Sequence, residues 1–251
     1  MTSLVNSLLD LIFPPRCSVC RDFLCKTETR GDPGSHVICR TCRDDFREVA
    51  SPVCPLCGLP LASWIEEDHY CENCLRQRPH YAWARAAYFY EGRVREAIHQ
   101  FKFAGKSHLA GPLGKLLASA MKDWLPDLNN YLLMPVPLHP RRLRERGFNQ
   151  SLLLARQVAS GMGAELDYLS LRRVRYTKPQ TGLKGDDRRK NVRRAFSCTN
   201  HSPLKERNVI LVDDVTTTGN TLNECARALK RSGAKYVYGI ALARTCPRGL
   251  R

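Results

Sequence analysis

The chain reads as an α/β protein: a mostly parallel, doubly wound sheet with a small cysteine-rich module in front of it. Three observations predict this. From residue 81 onward, short apolar runs of strand length alternate with segments of helical period, the pattern of strands joined by crossover helices. The runs at 132–136 and 209–212 are apolar throughout, as strands covered on both faces are. Nine of the twelve cysteines fall before residue 80, eight of them in four C-x-x-C pairs, so composition changes sharply at that point.

Residues 1–15 form the first expected element, a short amphipathic helix with Leu4, Leu8, Leu11 and Ile12 on one face. Its apolar run at 8–13 is too short to cross a bilayer. It has neither a basic leader nor a small-residue cleavage site. No membrane insertion is therefore expected, and a cytoplasmic location is. In that reducing setting cysteines hold metal rather than disulfides.

Residues 16–80 carry the metal module. Cys17-x₂-Cys20-x₁₈-Cys39-x₂-Cys42 and Cys54-x₂-Cys57-x₁₃-Cys71-x₂-Cys74 each have the spacing of a four-thiolate zinc site. A metal held by four thiolates has no open position, so both Zn²⁺ sites are expected to be structural, as two zinc ribbons in series. Spacing leaves sequential and cross-braced pairing both open. Cys25, Cys198, Cys225 and Cys246 fit no such pattern and read as ordinary small residues. His69 reads as solvent-facing rather than as a ligand.

Residues 81–251 carry the sheet. A strand is expected over 81–90, where Trp83, Tyr88, Phe89 and Tyr90 either pack in the core or stack on bases; the strand pattern favours the core. Helices follow over 94–101 and 109–124, then the strand at 132–136. A helix over 149–160 ends at Gly161. Short strands at 171–175 and 193–198 flank a polar, basic loop. The strand at 209–212, a helix over 221–232 stopped by Gly233 and a strand over 236–243 complete the domain. Ligands of such sheets bind beyond the carboxyl ends of the strands.

The strongest functional signal lies at such an end. Val209–Val212 runs into Asp213, Asp214 and Val215, then Thr216, Thr217, Thr218, Gly219, Asn220 and Thr221. Amides at the start of a helix point at anions, and small residues let the backbone come close. Two carboxylates beside a phosphate make sense if they accept hydrogen bonds from sugar hydroxyls or contact a phosphate-bound Mg²⁺. The run is no Walker A loop, because G-K-[ST] is missing.

Two basic loops complete the expected site. Prolines 135, 137 and 140 stiffen the chain before Arg141, Arg142, Arg144 and Arg146. These forked cations suit a pyrophosphate, and they sit poorly at a helix start unless an anion is near. The second loop holds Lys178, Gln180, Thr181, Lys184, Arg188 and Arg189, with Gly182 and Gly185 as hinges. It reads as a lid that excludes water. The net charge of +16 suits phosphates in general, nucleic acid included.

The 209–221 run resembles the phosphoribosyl-pyrophosphate motif of the type I phosphoribosyltransferases. That resemblance implies that Asp213 and Asp214 hold the ribose and serve catalysis. Residues 216–221 then hold the 5-phosphate, while the arginines and Mg²⁺ hold the pyrophosphate under the lid. P-V-P-L-H…R-G-F-N-Q, T-x-x-Q-T…R…N-V-x-x-A-F, D-D-V-x-T-T-G and the cysteine-rich start together resemble the ComF/GntX family over nearly the whole chain. This implies cytoplasmic bacterial proteins of natural transformation and DNA uptake, binding zinc and single-stranded DNA and working with other DNA-uptake proteins. The expected function is a phosphoribosyltransferase of unknown acceptor. A non-catalytic single-stranded DNA module and a phosphoribosyl pyrophosphate sensor are the alternatives. No C-terminal acceptor hood is expected, so acceptor contacts would come from the N-terminal module or residues 81–105.

Overall fold

The computed structural model describes residues 14–24, 37–62, 66–103, 105–125, 128, 130–177, 191–199 and 204–246. The expected helix over 1–15 lies outside them but for its last two residues. Cys25 and the lid residues Lys178, Gln180, Thr181, Lys184, Arg188 and Arg189 also lie outside.

In chain order the elements are α1 (Arg40–Asp44), α2 (Glu72–Arg76), β1 (Trp83–Phe89), α3 (Gly92–Phe103), a 3₁₀ turn (Ser107–Leu109) and α4 (Ala110–Trp124). Then come β2 (Tyr131–Pro135), α5 (Pro140–Arg146), α6 (Gln150–Met162), β3 (Glu165–Leu166), β4 (Leu171–Arg173) and β5 (Phe196–Cys198). β6 (Asn208–Thr216), α7 (Asn220–Arg231) and β7 (Tyr236–Arg244) close the described chain. Five strands form one parallel sheet in the order β1-β7-β6-β2-β3, and β4 and β5 pair antiparallel beside it.

Alternation along the strands explains the double winding. Leu133, Ile210, Val212, Ile240 and Leu242 share one core with Val94 and Phe101 of α3, Leu113 and Leu117 of α4, and Leu154 and Val158 of α6. Leu132, Met134, Val209, Leu211 and Val237 point the other way, onto Leu222, Cys225 and Leu229 of α7 and Phe196 of β5. Neighbouring strands β2 and β6 thus send their following helices to opposite faces. The crevice between their carboxyl ends is a topological switch point.

Three local expectations change. β6 runs past the expected 209–212 through Asp213 and Asp214 to Thr216, with Ala241 of β7 as the partner of Asp213 and Arg244 as that of Thr216. The arginine segment is not an extended loop but two turns of helix. His139 caps it by accepting from the Arg141 amide, Pro140 occupies the first turn, and Gly147 ends it at φ 82°. Gly161 lies inside α6; Gly163, at φ 65°, is where that helix ends.

The cysteine module shares its core with the sheet domain. Cys17, Val19, Leu24, Ile38 and Phe46 are buried in the same cluster as α3 and α4. The module also covers the outer edge of β1. The Phe89 amide donates to Arg47 O and the Val49 amide to Ala87 O, each at 2.9 Å, and the Ala84 amide to Leu56 O at 2.7 Å. An edge strand is thereby closed to other chains.

Candidate ligand cleft and metal centres

Two cavities of about 180 and 340 Å³ open at the switch point and share Asp213, Val215 and Thr221 as lining. Between them stands the acidic pair. Asp213 Oδ1 accepts from Ser151 Oγ of α6 at 3.0 Å and from the Asp214 amide at 2.9 Å. Asp214 Oδ1 accepts from the Val215 amide at 2.7 Å, and its Oδ2 pairs with Lys102 Nζ of α3 at 2.7 Å. The ion pair leaves the cleft above the turn open. Burial, and next the charge of Asp214, push the Asp213 carboxyl up to about 7; Lys102, the Asp214 amide and Ser151 pull it back.

On one side of the acids, Thr216, Thr217, Gly219, Asn220 and Thr221 line the larger cavity. Gly219 caps α7 in the left-handed region at φ 74°, which turns the first helical turn toward the cavity. Thr218 is exposed and lines neither cavity. Tyr90, Lys102 and Thr245 complete this wall.

On the other side stand the guanidinium groups. Arg142 and Arg146, one turn apart on α5, line the smaller cavity, whereas Arg141 and Arg144 do not. Arg141 instead bonds Glu145 at 3.1 Å and covers the Tyr176 ring at 4.8 Å. Arg173 of β4 lines the same cavity, bonded to Thr177. Its Nε, and Nε2 of Gln150, are buried without a hydrogen-bond partner. Gln150 is only 1% exposed, and its Oε1 accepts from Arg146 at 2.8 Å. Buried unmatched donors beside a cationic cleft are what an anionic ligand would satisfy. Lys102, Ser151 and Arg173 were not singled out by sequence, and Gln150 and Thr177 entered only as parts of the R-G-F-N-Q and T-x-x-Q-T motifs; each lies in an ordinary helix, strand or loop pattern and reaches the site through packing.

The thiolates converge in sequential sets, Cys17/Cys20/Cys39/Cys42 and Cys54/Cys57/Cys71/Cys74, with all ligand atoms of a set within 4.8 Å of one another. Sulfur separations of 3.9 Å for Cys17–Cys42 and 3.7 Å for Cys20–Cys39 and Cys57–Cys71 fit a tetrahedron. With Zn–S near 2.3 Å such a tetrahedron has edges of about 3.8 Å. The Val19 and Cys39 amides donate to Cys17 Sγ at 3.4 and 3.3 Å, bonds that stabilise the negative charge of a thiolate. Burial pushes the Cys54 thiol up, but amides at Cys57, Cys71 and Leu56 outweigh it and bring it down to about 7. Both sets therefore suit Zn²⁺. Cys198, Cys225, Cys246 and His69 belong to neither. Tyr88 and Phe89 are buried in the core, and Trp83 packs on Tyr238 at 5.2 Å. No helix among the described residues is long and apolar enough to cross a membrane.

Comparison with known proteins finds two families along the chain. A double zinc ribbon domain model matches residues 8–75, and a phosphoribosyl transferase domain model matches residues 149–247. The DNA utilization protein YhgH of Salmonella typhimurium is 34% identical over 215 residues, covering 83% of this chain and 90% of the relative. Competence protein F of Haemophilus influenzae is 32% identical, covering 82% and 90%. Competence protein ComFC of Bacillus subtilis is 29% identical, covering 83% and 84%. Among solved structures, purine phosphoribosyltransferase from Pyrococcus horikoshii is similar at 20% identity and TM-score 0.33, over 53% of this chain and 80% of that one.

Proposed function

The chain belongs to the ComF family of competence and DNA-utilization proteins, and we propose that it binds phosphoribosyl pyrophosphate with Mg²⁺ in the switch-point cleft and transfers the phosphoribosyl group. The observation that carries this reading is the meeting, in one crevice, of a small-residue helix start, an acidic pair and three inward arginines. The turn at 216–221 would take the 5-phosphate through backbone amides and hydroxyls. Asp213 and Asp214 would accept from the ribose hydroxyls. Arg142, Arg146 and Arg173, with the spare donor of Gln150, would hold the pyrophosphate. Hard carboxylate oxygens also suit Mg²⁺, which would supply further charge neutralisation at the leaving group.

Such a transfer needs no protein nucleophile. The cleft would hold the ribose in line with its acceptor and stabilise charge gathering on pyrophosphate as the anomeric bond breaks. Lys178, Gln180, Thr181, Lys184, Arg188 and Arg189 would close over it and keep water out. Calorimetric titration with phosphoribosyl pyrophosphate and Mg²⁺ tests binding, and pyrophosphate release across a panel of acceptors tests transfer. Absence of binding would sink the whole reading; binding without release would leave a sensor.

A second reading rests on exposed aromatics beside α5. Phe103 is 65% and Tyr176 37% exposed, and Arg146 and Arg141 cover their rings at 5.1 and 4.8 Å. Aromatics beside arginines are platforms for single-stranded nucleic acid. Affinity for a single-stranded DNA oligonucleotide should then fall steeply with salt, and Arg141→Ala with Arg144→Ala should flatten the log–log slope by about 1 to 2. An unchanged slope would remove these arginines from any DNA contact.

A further inference from the structure

We propose that the second cysteine cluster shapes the phosphate loop through two buried positioning residues, Arg244 and Tyr81. Capture of a sugar phosphate then depends on metal at Cys54/Cys57/Cys71/Cys74 and not at the first cluster. The inference rests on the reading of 216–221 as the sugar-phosphate loop.

Arg244 ends β7 as the register partner of Thr216, where the loop begins, and is only 2% exposed. Its Nη1 donates to the carbonyl oxygen of Cys57 at 2.8 Å, inside the knuckle that supplies two of the thiolates. Its charge neighbours are Cys57, Tyr81, Cys71 and Cys54. A permanent cation is thus buried between the loop-bearing strand end and a four-thiolate centre, which stays anionic when it holds a divalent metal. Its Nε is buried without a hydrogen-bond partner.

Tyr81, 4% exposed, carries the link to the loop itself. A Cβ on Gly219 would come within 2.9 Å of the Tyr81 hydroxyl, so the left-handed turn that opens α7 rests on this side chain. Next to it, the His80 amide donates to Asn223 Oδ1 of α7 at 2.7 Å. Gly58, in the same knuckle as Cys57, sits so close to β1 that a Cβ there would lie 2.5 Å from Ala84 O and 3.4 Å from Arg244 Nη1. Ribbon, strand end and loop are therefore packed without slack. The first cluster is tied elsewhere. Its polar links run from Gln100 Nε2 to Val19 O at 3.3 Å and from Lys106 Nζ to Ser18 O at 3.4 Å, and its apolar residues join the core under α3 and α4.

Losing metal from the second cluster would free the Cys57 knuckle. Arg244 would lose its acceptor and its counter-charge together, a costly state for a buried cation. Tyr81 and then Gly219 would lose their support. Binding of inorganic pyrophosphate, held by Arg142, Arg146 and Arg173, draws on none of these contacts.

The test titrates the full chain and its variants with ribose 5-phosphate and, separately, with inorganic pyrophosphate, and counts zinc in each protein. Cys57→Ser should weaken ribose 5-phosphate binding at least about tenfold and pyrophosphate binding less than about twofold. Cys20→Ser should also lose zinc yet change both ligands less than about threefold. Arg244→Met should reproduce the Cys57→Ser pattern with zinc retained, and Arg244→Lys should restore part of the affinity. Equal losses in Cys57→Ser and Cys20→Ser, or wild-type ribose 5-phosphate binding by Arg244→Met, would overturn the proposal. If Cys57→Ser does not fold, the Arg244 pair decides alone. A wild-type chain that ignores ribose 5-phosphate would instead refute the loop reading itself.

Discussion

The two walls of the cleft gather polar groups by different means. On the β6–α7 side the groups come from one continuous run, 213–221, in which a strand end, a glycine turn and a helix start place them by local backbone geometry. On the opposite side they come from separate places: Arg142 and Arg146 on α5, Gln150 and Ser151 on α6, and Arg173 on β4. The first wall is a local motif. The second exists only once the sheet, its crossover helices and the β4–β5 hairpin have packed. The first wall should therefore bind through amides and fixed carboxylates, and the second through long cations whose loss can be graded residue by residue.

The largest effect should follow from breaking the local wall at its acids. Asp213→Asn with Asp214→Asn keeps the shape but removes the charge that orients ribose hydroxyls and any Mg²⁺. Affinity for phosphoribosyl pyrophosphate with Mg²⁺ should fall at least about a hundredfold, with the zinc content of both clusters unchanged. Titration that shows near wild-type affinity would mean the acids serve only the Lys102 pair.

Grading the assembled wall should give smaller and selective losses. A charge-assisted hydrogen bond contributes about 1.5–3 kcal/mol, so Arg142→Ala or Arg146→Ala should weaken pyrophosphate binding about 10- to 100-fold while ribose 5-phosphate stays within about twofold. Arg141→Ala and Arg144→Ala, whose side chains line neither cavity, should change pyrophosphate binding less than about twofold. If all four arginines contribute equally, α5 is not presenting one face to the ligand.

How much of this was legible in sequence follows the same division. Strand-helix alternation and the fully apolar runs were enough for the parallel sheet, because burial on both faces leaves a direct compositional mark. The 213–221 run was readable for the same reason that it works locally: neighbours in sequence are neighbours in the site. The C-x-x-C pairs were readable because each knuckle is local, but the sequential pairing of knuckles is a tertiary fact, fixed by how α1 and α2 bring the second pair of each set back to the first. Arg141, Arg142, Arg144 and Arg146 could not be sorted until the segment proved helical, since a helical period puts Arg142 and Arg146 on one face whereas an extended chain would group Arg142, Arg144 and Arg146. Lys102 carries no local mark at all. It sits between two phenylalanines at the end of an amphipathic helix, and only the packing of α3 into the core beside the sheet sets it on Asp214.

The remaining effect concerns pH, and it separates stability from affinity by sign. Asp213 titrates from the local wall, raised from its ordinary 3.8 to about 7 by burial first and by Asp214 second. A carboxyl whose folded pKa is raised holds its proton more tightly in the folded state. Its contribution to stability is therefore complete below its ordinary range and is lost as pH rises through about 7. Ligand hydroxyls and Mg²⁺, by contrast, need the ionised form. Ligand-free protein should melt lower at pH 8 than at pH 5, while affinity for phosphoribosyl pyrophosphate with Mg²⁺ rises by up to about tenfold per pH unit below 7 and levels off above it. Asp213→Asn should flatten both curves, and Arg142→Ala should shift the affinity curve down without altering its shape. Parallel slopes for stability and affinity would show that the titrating group belongs to the ligand or to the arginine wall, and Asp213 would no longer be the group that meets the ribose.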